Sequence, residues 1–302
     1  MEKEIKCRFC GSHNFIKKGF RKTQNRGKIQ KYLCRECNKF FVLDNGFFKM
    51  KNAPQKITLC LDLFYKGVST RRIQEHLQAF YPHNSSHMSI YRWVLKYAKQ
   101  ISKFTDNLRL NVGAEIQIDE VEYHRRKSHK QKLGNEKNWF IDSICPKTKF
   151  MIASNYFKSR NMDDIKSIIK DIKNKTENQV KVITSDGWLA YPMAIQKVYG
   201  FSNKTHKVNI NHHIVNGSRG DGFNYPVERL HNSLRQRTQN FRGFHGSVES
   251  AKLILKGFEI YYNFIRKHQT LGKTPSELAT DIKLENPNKW LELIRLSCQL
   301  NN

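Results

Sequence analysis

The chain has 302 residues, with 54 Lys or Arg against 26 Asp or Glu and a formal net charge of +28. At roughly 150 residues per domain this length suggests about two domains, and 38% hydrophobic with 12% aromatic content excludes a disordered chain. No long apolar run and no apolar leader core are present, so neither a membrane span nor secretion is expected; the excess positive charge points to a polyanion, nucleic acid before an anionic membrane.

Residues 1 to 48 form a distinct basic piece; the first 60 residues hold fifteen Lys or Arg and four Asp or Glu. It carries Cys7-x-x-Cys10 and Cys34-x-x-Cys37. Each pair puts two sulfurs on one tight turn, and four thiolates at this spacing can close a tetrahedral shell around structural zinc. So short a piece buries little apolar surface, so the metal would supply much of its stability. Disulfides and a redox dithiol are the competing readings. Cys60, Cys145 and Cys298 sit among apolar residues and read as small core residues.

Residues 49 to 105 read as helices. Ile57, Cys60, Leu61 and Phe64 recur at helical spacing, and Gly67-Val68-Ser69 interrupts the pattern. Ser69 is the expected N-cap of a helix from Thr70 to Leu77, and Ser85 or Ser86 that of a further helix. In that helix Met88, Tyr91, Leu95 and Ala98 are expected to face inward. His87, Ser89, Arg92 and Lys96 are left toward solvent. Two such helices suit a helix-turn-helix, although an ordinary helical hairpin with a basic face fits the same pattern. His87, Ser89 and Arg92 are then candidates to read bases, with Lys96 beside them.

Residues 106 to 285 alternate strands and helices. Strands are expected at Glu115–Asp119, Trp139–Ile144, Phe150–Tyr156 and Val180–Thr184. Helices are expected at Asn161–Lys173, Tyr191–Tyr199, Val227–Gln239 and Ser247–Arg266. This order indicates a mixed α/β sheet. A loop is expected around His206 to Gly222, and residues 286 to 302 form a helical tail. Asp119 closes one strand, Asp186 lies just past the end of another, and Glu228 opens a basic helix. Brought together, three carboxylates repel one another unless cations reconcile them, and hard oxygen ligands suit Mg²⁺ or Mn²⁺. Two such ions can clamp both oxygens of an in-line phosphoryl displacement. Glu115, Glu120, Glu122, Asp142, Asp163, Asp164 and Asp221 read instead as solvated, capping or turn residues, with Asp142 the strongest rival because its strand is apolar. His212 and His213 are read as loop residues near DNA rather than metal ligands.

Several segments together resemble the DDE transposases of prokaryotic insertion sequences, nearest the IS6/IS240-like group. They are Ile118-Asp119-Glu120, Ser185-Asp186-Gly187-Trp188 and the run from Val227 to Arg237. Tyr261 to Leu271 with Thr274-Pro275, and Ser89 to Trp93 upstream, belong to the same pattern. The resemblance covers nearly the whole chain. It implies an RNase H-like catalytic core with Asp119, Asp186 and Glu228 as its triad, and Arg235 on the same helical face as Glu228, contacting phosphate. The implied architecture is a zinc ribbon, a helix-turn-helix domain and the catalytic core. The implied activity is metal-dependent cleavage and strand transfer on double-stranded DNA, with terminal inverted repeats as the bound ends. A cytoplasmic, nucleoid-associated location and at least a homodimer follow from the same resemblance. The gap between Asp186 and Glu228 is longer than is usual in that group. A DNA-binding regulator with an inactive core and an RNase H-like nuclease are the alternatives.

Overall fold

A computed structural model describes residues 5–23, 27–81, 85–125, 136–177, 179–202, 207–215, 224–239, 244 and 247–299. The first unit is a three-stranded antiparallel sheet of β1 (Phe15–Thr23), β2 (Gly27–Cys34) and β3 (Phe40–Val42). Its own small core holds Tyr32 and Phe41, with Phe15 packed against both rings edge-on, beside Cys7 and Cys34. The middle of β1 is exposed, including Lys17, Lys18, Arg21 and Lys22.

Three helices follow: α1 (Pro54–Tyr65), α2 (Thr70–Phe80) and α3 (His87–Thr105). Pro54 opens α1 where a missing N–H is harmless. Gly67, with φ of 95°, makes the left-handed turn that ends it. The Ser69 hydroxyl caps α2 by accepting from the Arg72 N–H, and Ser86 caps α3 by accepting from the Ser89 N–H, as the sequence predicts. The buried face of α3 differs from the expected one. It consists of Ile90, Trp93, Val94, Tyr97, Ala98 and Ile101, while Met88 is exposed and Tyr91 and Leu95 are only partly covered.

A five-stranded mixed sheet forms the centre of the larger unit, built from β4 (Glu115–Arg125), β5 (Glu136–Ile144), β6 (Met151–Phe157), β7 (Val182–Ser185) and β10 (Asn211–Ile214). Its order is β10-β7-β4-β5-β6. β4, β7 and β10 are parallel neighbours, and β5 and β6 continue antiparallel from β4. Short strands β8 (Phe201–Ser202) and β9 (Lys207–Val208) pair with each other. β10 falls inside the segment expected to be a loop. Its polar sequence hides a strand that uses only the free edge of β7.

The remaining helices are α4 (Met162–Thr176), α5 (Ala190–Tyr199), α6 (Tyr225–Thr238), α7 (Val248–Ile260), α8 (Ser276–Ala279) and α9 (Lys289–Gln299), with a π-helical turn at Tyr261–Ile265 after α7. α4 begins with a reciprocal capping box between Asn161 and Asp164, so Asp164 is a capping residue as expected. α4 and α5 pack together, α6 packs on β4 and β5, and α7 packs on β6 and α3. One contiguous apolar cluster joins α1, α2 and α3 to the sheet and its helices, and takes in Trp290, Leu293 and Ile294 of α9. The Tyr261–Phe264 run serves this packing. Asn263 donates through Nδ2 to the Met151 carbonyl (2.8 Å) and accepts at Oδ1 from the Met151 N–H (2.9 Å), closing the end of β6 like an extra strand residue. Just before α8, Thr274 donates through its N–H and its hydroxyl to Glu277 Oε1. Among the described residues no helix is long and apolar enough to cross a membrane.

Candidate active site and metal centres

The cysteines come together first. Cys7 and Cys37 sulfurs lie 3.7 Å apart, Cys10 and Cys34 3.5 Å, and all four Sγ atoms fall within 4.8 Å of one another. A tetrahedron with metal–sulfur bonds of about 2.3 Å has edges of roughly 3.8 Å, so the donor set fits zinc. Burial works against the Cys7 thiolate, yet the Phe9 and Cys10 backbone amides bring it down to about 7. Cys10 has a backbone hydrogen bond at Ser12 that favours its thiolate, but burial and the other three sulfurs push it up to about 12. Without a cation the cluster cannot ionise as a set; with one it can.

The second centre is built by strand register. In the parallel ladder Gln117 pairs with Thr184, so Asp119 and Asp186 stand level, two residues farther along each strand. β7 ends at Ser185, so Asp186 follows the carboxyl end of a parallel strand, where open α/β sheets bind their ligands. Carboxylate oxygens of Asp119, Glu120 and Asp186 lie within 4.8 Å of one another. Asp119 Oδ1 accepts the Glu120 N–H at 2.9 Å, and Asp186 Oδ1 accepts the Trp188 N–H at 3.0 Å. Burial pushes Asp119 up to about 6, against the pull of His231 and the Glu120 amide; Glu120 and Asp142 raise it further.

Glu120 is not the solvated residue the sequence suggests. Its side chain is 4% exposed and held by two partners: Arg160 Nη1 lies 2.8 Å from Oε1, and the Tyr191 hydroxyl of α5 donates to Oε2. Arg160 in turn sits over the Trp139 and Trp188 rings, at 4.3 and 4.6 Å from their centroids. Alternation along β4 puts Asp119 and Glu120 on opposite faces, so the cluster wraps around the strand, with α5 reaching it from one face and α6 from the other.

The sequence-predicted residues divide as follows. Asp119 and Asp186 are brought together. Glu228 lies in the first turn of α6, exposed, and its carboxylate is not one of those within 4.8 Å. What α6 places at Asp119 is His231, one turn on from Glu228. Its Nε2 lies 2.9 Å from Asp142 Oδ1 and its Nδ1 lies 3.5 Å from Asp119 Oδ2. Burial opposes its protonation, but Asp142 and Asp119 outweigh it and hold His231 above its ordinary value. Asp142 is therefore neither turn nor cap; it is wholly buried beneath His231. Its place opposite Asp119 depends on the β4–β5 register, and its partner on the packing of α6, neither of which local pattern gives. Arg235 is exposed on α6, and its charge reaches Tyr123 and His231. His212 hydrogen-bonds Ser185 Oγ at 2.8 Å from β10, and His213 is exposed beside it. Burial and the His213 charge lower His212. Neither belongs to a metal-capable group among the described residues. Asp221 lies outside the described residues.

On the helix pair, Arg92 and Lys96 are exposed. His87 is half-buried and tied to α2: its N–H donates to Gln74 Oε1 at 2.8 Å, with Nδ1 3.3 Å from the same oxygen. Ser89 is bound to the capping Ser86. Lys96 lies 3.1 Å from Met50 Sδ and over the Tyr97 ring, and burial lowers it. No protein-family model matches the chain, and no curated protein matches it.

Proposed function

We propose that the protein is a DNA transposase whose carboxylate centre carries out metal-dependent cleavage and strand transfer. The observation that supports this most is the meeting of Asp119 and Asp186 in a basic protein, on a mixed sheet in the β10-β7-β4-β5-β6 order. That order, antiparallel on one side of the central strand and parallel on the other, favours an RNase H-like core. Asp119 and Asp186 would hold Mg²⁺ or Mn²⁺, with Glu228 completing the set from α6. The hard oxygen donors fit such ions. Bound there, divalent ions supply Lewis-acid stabilisation of the phosphate oxygens and a nucleophile at neutral pH. Arg160, braced by two tryptophans and turned to the same acids, and Arg235 on α6 bind phosphates and set the strand in line. Cys7, Cys10, Cys34 and Cys37 would hold structural zinc, and the basic β1 face with Arg92 and Lys96 of α3 grips double-stranded DNA at the element ends. Synapsis of two ends makes the working form a homodimer or larger, in the cytoplasm at the nucleoid.

The closeness of Glu120 to Asp119 and Asp186 favours a second reading of the centre, with Glu120 as its third ligand in place of Glu228. The experiment for the activity is incubation of the full chain with labelled duplexes from the DNA flanking its reading frame, with plasmid target and Mg²⁺ or EDTA. Metal-dependent joined product supports the transposase. Plasmid nicking without joining moves the reading to a nuclease, and tight binding alone to a DNA-binding regulator.

A further inference from the structure

Asp119 and Asp142 face each other directly across the β4–β5 ladder, so both side chains project from the same face. Two like charges so placed repel each other unless a donor stands between them. The donor is His231. Asp142 is 0% exposed and His231 3%, so the pair is closed off from bulk solvent. Asp142 has one oxygen on His231 Nε2, and its Oδ2 has no hydrogen-bond partner, so His231 is its hydrogen-bond anchor among the described residues. The ring is also fixed in place: α6 is pinned again at its far end, where Thr238 Oγ1 meets the Tyr123 hydroxyl of β4 at 3.1 Å. Asp119 accepts the Glu120 N–H on Oδ1, and His231 Nδ1 stands 3.5 Å from its Oδ2.

We infer that His231, seated on Asp142, is a positioning residue that sets the Asp119 carboxylate in the orientation in which it takes a divalent cation. This rests on the reading of Asp119 and Asp186 as metal ligands. Buried partners that orient a ligand are part of a metal site's affinity, and losing one typically weakens binding by roughly 10-fold or more. A buried His–Asp pair with a purely structural task needs only the Asp142 contact; the second nitrogen at Asp119 serves the site.

The two ring nitrogens can be tested separately. His231→Gln keeps a donor near the Nε2 position, toward Asp142, and loses the one toward Asp119. His231→Asn keeps a donor near the Nδ1 position, toward Asp119, and leaves Asp142 buried without its partner, the more destabilising loss. Mn²⁺ is titrated into the full-length zinc-loaded chain and free Mn²⁺ is read by electron paramagnetic resonance; thermal unfolding is measured alongside. The expected orders cross. Mn²⁺ affinity falls by roughly 10-fold in His231→Gln and by no more than about 3-fold in His231→Asn, whereas the melting temperature is lower in His231→Asn. Affinity that follows melting temperature, or wild-type affinity in His231→Gln, overturns the inference; His231→Gln decides alone if the other variant does not fold. Wild-type protein that binds no Mn²⁺, or binds it equally well after Asp186→Asn, sinks the metal-site reading itself and the inference with it.

Discussion

Arg160 Nη1 lies 2.8 Å from Glu120 Oε1, and this ion pair separates the roles of two adjacent acids. Glu120 has its charge matched by Arg160 and a donor from Tyr191, while Asp119 is left with a backbone amide and a histidine. Glu120 is thus equipped to hold Arg160 in place, and Asp119 to take a cation.

This division predicts how the two glutamates differ. Glu228→Gln is expected to abolish cleavage, by more than about 100-fold, with Mn²⁺ affinity falling. Glu120→Gln should leave Mn²⁺ affinity within about 3-fold of wild type and weaken DNA binding through the release of Arg160. The reverse pattern in a Mn²⁺ titration of the two variants would make Glu120 the third ligand.

The pH dependence follows from Asp119 and His231. Burial raises Asp119 from 3.8 to about 6, and the two carboxylates raise His231. Both groups bind their protons more tightly folded than unfolded, so the stability they contribute is present in acid and lost as pH rises. For Asp119 the loss runs from 3.8 to about 6; for His231 it runs upward from 6.5. In metal-free protein, Asp119→Asn mimics the protonated acid. Its melting temperature should therefore gain on wild type as pH rises between those two values for Asp119. A difference between the two proteins that stays flat over this range contradicts the assignment.

Zinc removal should act locally. The core around Cys7 and Cys34 holds Tyr32 and Phe41, with Ile5, Phe15, Cys37 and Leu43 packed at its edge. That is too small a core to hold β1, β2 and β3 together alone. A chelator strong enough to strip zinc is expected to remove amide protection from these strands in hydrogen exchange. The β4–β5–β6 amides, set in the large core, should keep theirs. Unchanged protection in β1–β3 would show that no metal holds this sheet.

On α3 the exposed cations should act through phosphate. Each lost phosphate contact lowers the slope of log affinity against log salt by about 0.9. Arg92→Ala and Lys96→Ala are expected to reduce the slope by about that much each, measured by fluorescence anisotropy on duplex DNA. His87→Ala removes only the ring contact to Gln74, the backbone N–H bond remaining, and should lower the melting temperature slightly while leaving the slope unchanged.

Much of the centre can be read from local pattern. Asp186 stands just past a strand end as expected, whereas Asp119 lies mid-strand because pairing with β5 carries β4 on to Arg125; the Ser69, Ser86 and Asn161 caps follow from residue chemistry. What could not be read depends on contacts distant in the chain. Glu120 looks solvated because strand alternation turns it away from Asp119, and only Arg160 and Tyr191, folded against it, bring it into the cluster. His231 gains meaning from Asp142, which the sheet and α6 bring beneath it. On α3, Met88-Tyr91-Leu95 and Ile90-Trp93-Val94-Tyr97 both recur at helical spacing; the second set is the buried one, with α7, α9, α2 and α1 packed on α3. β10 is short and polar, and only the free edge of β7 makes it a strand.

Asp119 and Asp186 are proposed to hold the metal that drives DNA joining. The most direct measurement is strand transfer of a labelled end duplex into plasmid by wild-type and Asp186→Asn protein, each with Mg²⁺ and with EDTA. Joined product is expected from wild type with Mg²⁺ alone, and none from Asp186→Asn although it binds the duplex equally. Joining that survives EDTA or the substitution would contradict that assignment.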